Sequence, residues 1–328
     1  MSYFITVPTN ENGIFFDPAL TSVVNEAVAD EPFGFEDFFI YSHGWSTDAD
    51  QCMTTYSRFS VELARQIMLL GAQPANKFQS PPRSSLGVGI HWPSEITEDP
   101  GSPLNAAQLF TFYTMEQRAD QVGRNATYTV LRSILNARAA DSTLAMRIVL
   151  LGHSFGCKVI CAALQDLQTD IVNGTIATPL QTTFRVVLLE PATDADNLEP
   201  GDIYGSVCEI EGLRLLITTS QLDTALVKWF LDAGRLVNLF HPQPALGAVG
   251  PTGPTIAAFG ASASISITTG FLPNQISGHT ERLIVADLTP VHTDHTKASP
   301  PFNGGFAGSH ADIFFPEMYN LIAGFVFS

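Results

Sequence analysis

An α/β fold, with a mostly parallel central sheet flanked by helices, is what this 328-residue sequence predicts. Three observations carry that reading. Short, nearly continuous apolar runs recur along the chain, longer stretches with helical spacing lie between them, and one run leads straight into Gly152-His153-Ser154-Phe155-Gly156. Apolar runs without polar alternation suit strands covered on both faces. Strand and helix in alternation imply a parallel sheet with right-handed crossovers.

Taken in order, the predicted strands are Tyr3–Val7, Asp37–Ser42, Gly87–Trp92, Met146–Leu151, Phe184–Leu189, Leu213–Thr218 and Arg282–Asp287. Most are flanked by turn formers or charges. The intervening helices are expected over Tyr56–Leu70, Met115–Ala139 and Lys158–Ile171, with a last one from Phe315 through Phe325. The segment from Thr224 to Gly278 departs from the alternation. Ala225–Phe240 reads as an amphipathic helix, whereas Pro242–Pro273 is rich in Gly, Pro, Ala, Ser and Thr and almost uncharged. Such a stretch is either a functional loop or a packed surface excursion with a small hairpin at Ser264–Thr269. Pro93–Pro103, after the third strand, is expected to line the other side of a cleft. The whole chain, 1–328, reads as a single domain with 224–280 as a lid or cap insertion before the last strand.

Composition narrows the function. Hydrophobic residues make up 45%, enough for a sizeable core. The formal net charge of -16, from 32 acidic and 16 basic residues, argues against nucleic acid and against an anionic membrane as partners. The N-terminus lacks the basic and apolar regions of a signal peptide, and no apolar stretch reaches the roughly 18 residues of a membrane span, so a cytoplasmic protein without stable membrane insertion is expected. Oligomeric state is not legible. The four cysteines, Cys52, Cys157, Cys161 and Cys208, read as reduced core residues, with a Cys52–Cys208 disulfide as the alternative. No Cys-x-x-Cys zinc pattern occurs.

The chemistry starts at Ser154. A strand that runs into Gly-x-Ser-x-Gly and out into a helix forms a nucleophile elbow, with the hydroxyl clear of the backbone. Side chains at positions 152 and 156 would collide with neighbouring backbone, which suits glycine. A serine hydroxyl needs a base to take its proton, and an imidazole base needs a carboxylate to fix its tautomer. Of the eight histidines, His43 and His91 precede the serine on other strand ends, His153 points away from its hydroxyl, and His241 and His279 sit in or beside the insertion. His310, in a Gly/Ser-rich loop before the last helix, is the candidate base, with His292 and His295 as alternatives. His292-x-x-His295 with Asp294 also reads as a metal pair, but no metal is expected. Asp223, in the polar turn after Leu213–Thr218, is the candidate acid, although an Asp there can simply cap a helix. Asp194, after Phe184–Leu189, is the alternative acid. For the oxyanion, one donor is the backbone N–H of Phe155 and the other comes from Trp45 or, second, Gly44, where an early strand ends. His43, Trp92 and His153 are assigned to the substrate pocket. Trp45, Trp92, Phe155, Phe110 and Phe112 make the neighbourhood aromatic, which favours an apolar acyl or alcohol group.

Taken together, His43-Gly44-Trp45, His91-Trp92-Pro93-Ser94, Gly152–Gly156, Asp223 and Ser309-His310-Ala311-Asp312 resemble the α/β-hydrolase superfamily over nearly the whole chain. Trp92-Pro93-Ser94 and the stretch from Phe112 to Ala119 are similar to a poorly characterised serine esterase-like branch. The resemblance implies an eight-stranded, mostly parallel sheet, Ser154 as nucleophile, His310 as base, Asp223 as acid and no cofactor. The expected activity is hydrolysis of a small-molecule or lipid-like carboxylic ester through an acyl-enzyme. An acyltransferase, a thioesterase, an amidase or a peptidase would use the same residues, and a non-catalytic binding protein could share the fold.

Overall fold

The computed structural model describes residues 3–20, 22–23, 26, 35–45, 47, 49–71, 84–94, 106–139, 145–177, 181–237, 243–298, 309–310 and 313–328. The part of the expected cleft wall beyond Ser94, His241, and Ala311 and Asp312 beside the candidate base lie outside the described residues, as do the side chains of Phe110 and Phe112.

Eight strands form one sheet: β1 (Tyr3–Pro8), β2 (Asp37–Ser42), β3 (Ser85–His91), β4 (Met146–His153), β5 (Thr182–Leu189), β6 (Leu213–Thr219), β7 (Ser262–Ser266) and β8 (Leu283–Asp287). Their spatial order is β1-β3-β2-β4-β5-β6-β8-β7, and each neighbouring pair is parallel. The central strands are apolar along their length because both faces are covered: every residue of β2 is buried, and in β4 only His153 is not fully so.

On one face lie α1 (Ala49–Gly71) and, from the chain's end, the helix Pro316–Val326. α1 presents Cys52, Tyr56, Phe59, Leu63, Ile67 and Leu70 to the sheet, a stripe at steps of three or four residues. On the other face lie α2 (Ala106–Val122), α3 (Tyr128–Ala139) and α4 (Phe155–Val172). α2 and α3 are joined through a π-helical turn, Gly123–Thr127, so the expected helix Met115–Ala139 is two helices in line. None of the four cysteines is in a disulfide, and all are buried. Cys52 packs in the first of these layers and Cys208 in the second, so the sheet separates them and a disulfide between the two is not made.

The insertion holds more regular structure than its composition suggests. A π-helical turn Ala225–Phe230 leads into α5 (Leu231–Val237), and two short helices follow, α6 (Leu246–Val249) and α7 (Gly253–Phe259). The expected hairpin at Ser264–Thr269 is instead the parallel edge strand β7, paired with β8 from Ser262↔Leu283 to Ser266↔Asp287. Its side chains alternate between exposed and part-buried, as one-sided cover requires, and its sequence Ser-Ala-Ser-Ile-Ser carries too little apolar signal to announce a strand. His292 and His295, expected in a loop, lie on a helix, α8 (Thr289–Ala298). The final helix, Pro316–Val326, is α9.

Candidate active site

The nucleophile strand ends at a forced turn. Ser154 follows β4 with φ 56° and ψ -124°, a left-handed conformation costly for any residue with a side chain. α4 begins at the next residue. The turn is tight enough that a Cβ on Gly156 would stand 2.2 Å from the Ser42 carbonyl oxygen and 2.6 Å from that of His43, so nothing larger than glycine fits.

The ends of β4 and β6 and the segment before α9 converge above that turn. His310 Nε2 lies 2.8 Å from Ser154 Oγ, and His310 Nδ1 lies 2.6 Å from Asp223 Oδ2. A carboxylate at Nδ1 fixes the tautomer: Nδ1–H donates to Asp223, which leaves Nε2 to accept the serine proton. Asp223 is fully buried, while His310 keeps a partly open edge. The other Asp223 oxygen, Oδ1, accepts the N–H of Leu226 at 3.0 Å. Helix cap and partner of the imidazole are therefore one residue. Two backbone contacts anchor the His310 segment. The Ser309 N–H donates to the Leu222 carbonyl at 3.4 Å, and the His310 carbonyl accepts from His153 Nε2 at 2.9 Å. Burial among the strand ends, with His310 adding to it, pushes the His153 imidazole down to about 3, so it stays neutral and donates from Nε2.

Gly44 closes the other side. A Cβ there would meet Ser154 Cβ at 2.8 Å, so the Gly44–Trp45 backbone lies directly against the nucleophile. Trp45 packs edge-on to Phe155, ring centroids 6.2 Å apart. Behind this loop, His43 Nδ1–H donates to the Gly44 carbonyl at 2.8 Å, and His43 Nε2 accepts the Trp92 N–H at 3.3 Å. The His43 and Trp92 rings stack, and the Trp92 indole N–H donates to the His43 carbonyl at 3.2 Å. His43 and Trp92 are 2% and 0% exposed. Both were assigned to the substrate pocket from sequence; the structure puts them in the core, where they brace the Gly44 turn. Burial pushes the His43 imidazole down to about 3, so it too is neutral. His153, assigned to the same pocket, grips the base segment.

The alternatives lie elsewhere. His292 Nδ1 is 2.9 Å from Ser220 Oγ, and His295 Nε2 is 3.5 Å from Glu317 Oε2. The Asp294 carboxylate accepts from Thr269, so His292, His295 and Asp294 face different partners rather than one ion. Asp194 sits beside Glu116 and Lys158; burial and then Glu116 push its carboxyl up to about 6. Glu116 and Lys158 pair with each other and line a cavity of about 440 Å³ that does not include Ser154, Asp223 or His310. Two sets of three potential metal donors come within 4.8 Å of one another among the described residues, His43-Cys52-His91 and His153-Glu190-His310. In the first, both His43 nitrogens are engaged with backbone, and in the second, both His310 nitrogens serve Ser154 and Asp223.

Glu190 is the residue that sequence reasoning passed over. It follows β5 directly, is fully buried, and places a carboxylate oxygen within 4.8 Å of nitrogens of His153 and His310. The signal was a carboxylate immediately after a strand and immediately before Pro191.

Residues 22–236 match the family described as alpha/beta hydrolase of unknown function (DUF900). The chain belongs to this family. The hydrolase match spans Gly44, Ser154 and Asp223 but stops short of His310. No functionally curated protein matches the sequence. Among solved structures, the phospholipase PlaB from Legionella pneumophila, in complex with thio-NAD, is similar at 15% identity and a TM-score of 0.28, over 60% of this chain. The chain spans 40% of that protein's length.

Proposed function

We propose that this alpha/beta hydrolase is a serine hydrolase that cleaves carboxylic esters through an acyl-enzyme on Ser154. One observation supports the reading above all: the continuous relay from Ser154 Oγ to His310 Nε2, 2.8 Å, and from His310 Nδ1 to Asp223 Oδ2, 2.6 Å. Ser154 Oγ forms a bond to the acyl carbon as its proton passes to His310. The carbonyl oxygen takes negative charge opposite the N–H groups of Phe155 and of Trp45 or Gly44. The C–O bond to the alcohol then breaks, and His310 returns the proton to the leaving oxygen. Water gives up a proton to the same imidazole, attacks the acyl-enzyme and releases the acid. Trp45, part-buried and packed against the edge of Phe155, offers aromatic surface for a small-molecule or lipid-like ester with an apolar group.

A fluorophosphonate probe tests the assignment. The protein should label once per chain at Ser154, and S154A should not label. On p-nitrophenyl esters of graded chain length, D223N should lose about 10⁴-fold in turnover, because the imidazole then takes the wrong tautomer, while D194N stays near wild type. A wild-type protein inert to the probe, beside a control hydrolase that reacts, sinks the proposal.

A further inference from the structure

We propose that Glu190 is a positioning residue of this site, whose carboxylate, seated among His310, His153 and His292, holds the base in place and stabilises its charged form. The proposal rests on the serine-hydrolase reading above.

Two unfavourable features meet at this one position. Glu190 has φ 44°, and among the described residues the only other non-glycine at positive φ is Ser154. Its neighbour Pro191 compounds the cost, because proline confines the residue before it to extended backbone at negative φ. Its side chain is also fully buried, where a carboxylate is expensive without charge partners or donors. The surroundings impose the conformation. The Glu190 N–H donates to Thr218 Oγ1 at 2.8 Å, and on the other side a Cβ on Gly247 would come within 2.7 Å of the Glu190 carbonyl carbon. A strained, over-determined backbone that aims an acid inward points to a task for that acid.

The carboxylate faces imidazoles. Glu190 Oε1 lies 3.8 Å from His292 Nδ1 on α8, and a carboxylate oxygen lies within 4.8 Å of ring nitrogens of His153 and His310. The groups around His310 are Asp223 from the end of β6, His153 and Ser154 from the end of β4, and Glu190 from the end of β5. Cys157 on α4 faces Glu190 as well. The imidazolium formed when Ser154 gives up its proton therefore lies near two carboxylates. Asp223 acts on it through a hydrogen bond. Glu190 acts across space, and through His153, whose Nε2–H holds the His310 carbonyl. A negative charge at this range favours the charged imidazole over the neutral one.

The test is the rate of Ser154 labelling by a fluorophosphonate across pH 5–9, in wild type, E190Q and E190D. In wild type the rate should rise as His310 loses its proton. E190Q keeps the shape and removes the charge; its midpoint should fall by about one pH unit, with a plateau at least tenfold lower. E190D should retain the wild-type midpoint. An E190Q midpoint equal to wild type overturns the proposal, however low the plateau, because that is what loss of packing alone would give. If E190Q does not fold, E190A, which removes the carboxylate without placing an amide in the core, takes its place and is judged on the same midpoint: a fall supports the proposal and an unchanged midpoint overturns it. Wild-type protein that never labels is a different failure. It removes the hydrolase reading, and this proposal with it.

Discussion

Gly44 shows how closely a missing side chain lets backbone approach Ser154. The closest atom to a Cβ at this position is Ser154 Cβ, at 2.8 Å, with the His153 carbonyl oxygen at 3.2 Å. Neither neighbour can retreat, since Ser154 is pinned by its turn and His153 by the His310 carbonyl. G44A should therefore tilt the Gly44–Trp45 peptide away from the nucleophile. Turnover of a p-nitrophenyl ester should drop about 10²–10³-fold, the usual effect of losing one oxyanion donor, with little change in melting temperature. An active G44A would remove this loop from the mechanism. Ser154, Asp223 and His310 were legible because each belongs to a pattern: a pentapeptide, a polar turn after a late strand, and a loop before the last helix. His43 and Trp92 were misplaced for a physical reason. A strand end marks the neighbourhood of the site, but not which side of the loop a ring packs on. Glu190 was passed over in favour of Asp194 because its inward aim comes from a positive φ, and glutamate gives no hint of one.

Among the elements, the strands covered on both faces were the most readable. β2 has the expected bounds, and β4, β5 and β6 differ from expectation by no more than a residue or two at an end. β7 and α8 were hidden, the first by its small polar residues and the second by a pattern of Thr, His and Asp without an apolar stripe. One detail inside the strands had no sequence signature. Asp37 at the start of β2 and Arg147 in β4 form a fork-like ion pair, with contacts of 2.7 and 3.1 Å, and the guanidinium lies 4.3 Å from the Phe327 ring centroid. The pair is almost completely buried, 3% and 1% exposed. It ties two sheet strands to the C-terminal residues. R147M should leave the Asp37 charge stranded and lower stability by about 3–5 kcal/mol in urea unfolding, whereas D37N/R147M, with no charge left behind, should recover much of the loss. A cost under about 1 kcal/mol for R147M would mean that water reaches Asp37 in the folded protein.

At the scale of the whole molecule, the winding of the sheet explains where the site lies. The crossover leaving β2 goes through α1 on one face, and the one leaving β4 goes through α4 on the other. Adjacent strands whose connections part to opposite faces open a crevice at their C-terminal ends. Gly44 and Ser154 are the residues that meet there. Burying imidazoles beside that crevice has a consequence for stability. His43 and His153 are held down to about 3 from 6.5, while Asp194 is raised from 3.8 to about 6. Between these values the unfolded chain carries two protons on the histidines that the folded chain lacks, and the folded chain carries one on Asp194 that the unfolded chain lacks. The histidine contribution is complete above about pH 6.5 and is lost as pH falls toward 3. The Asp194 contribution runs the other way. Counting these three groups, net stability should rise by about 1.4 kcal/mol per pH unit from pH 4 to 6. Urea midpoints across that range should show it, D194N should steepen the slope, and H153N should flatten it. A D194N slope shallower than wild type would contradict the assignment.

The same parallel arrangement puts the N-terminal ends of the strands on the side away from Ser154. Gly174, where α4 turns back toward β5, lies at that end, and a Cβ there would meet nothing within 4 Å. A dye, a tether to a bead or a fused reporter carried at this turn would thus hang from the underside of the protein, well away from Ser154.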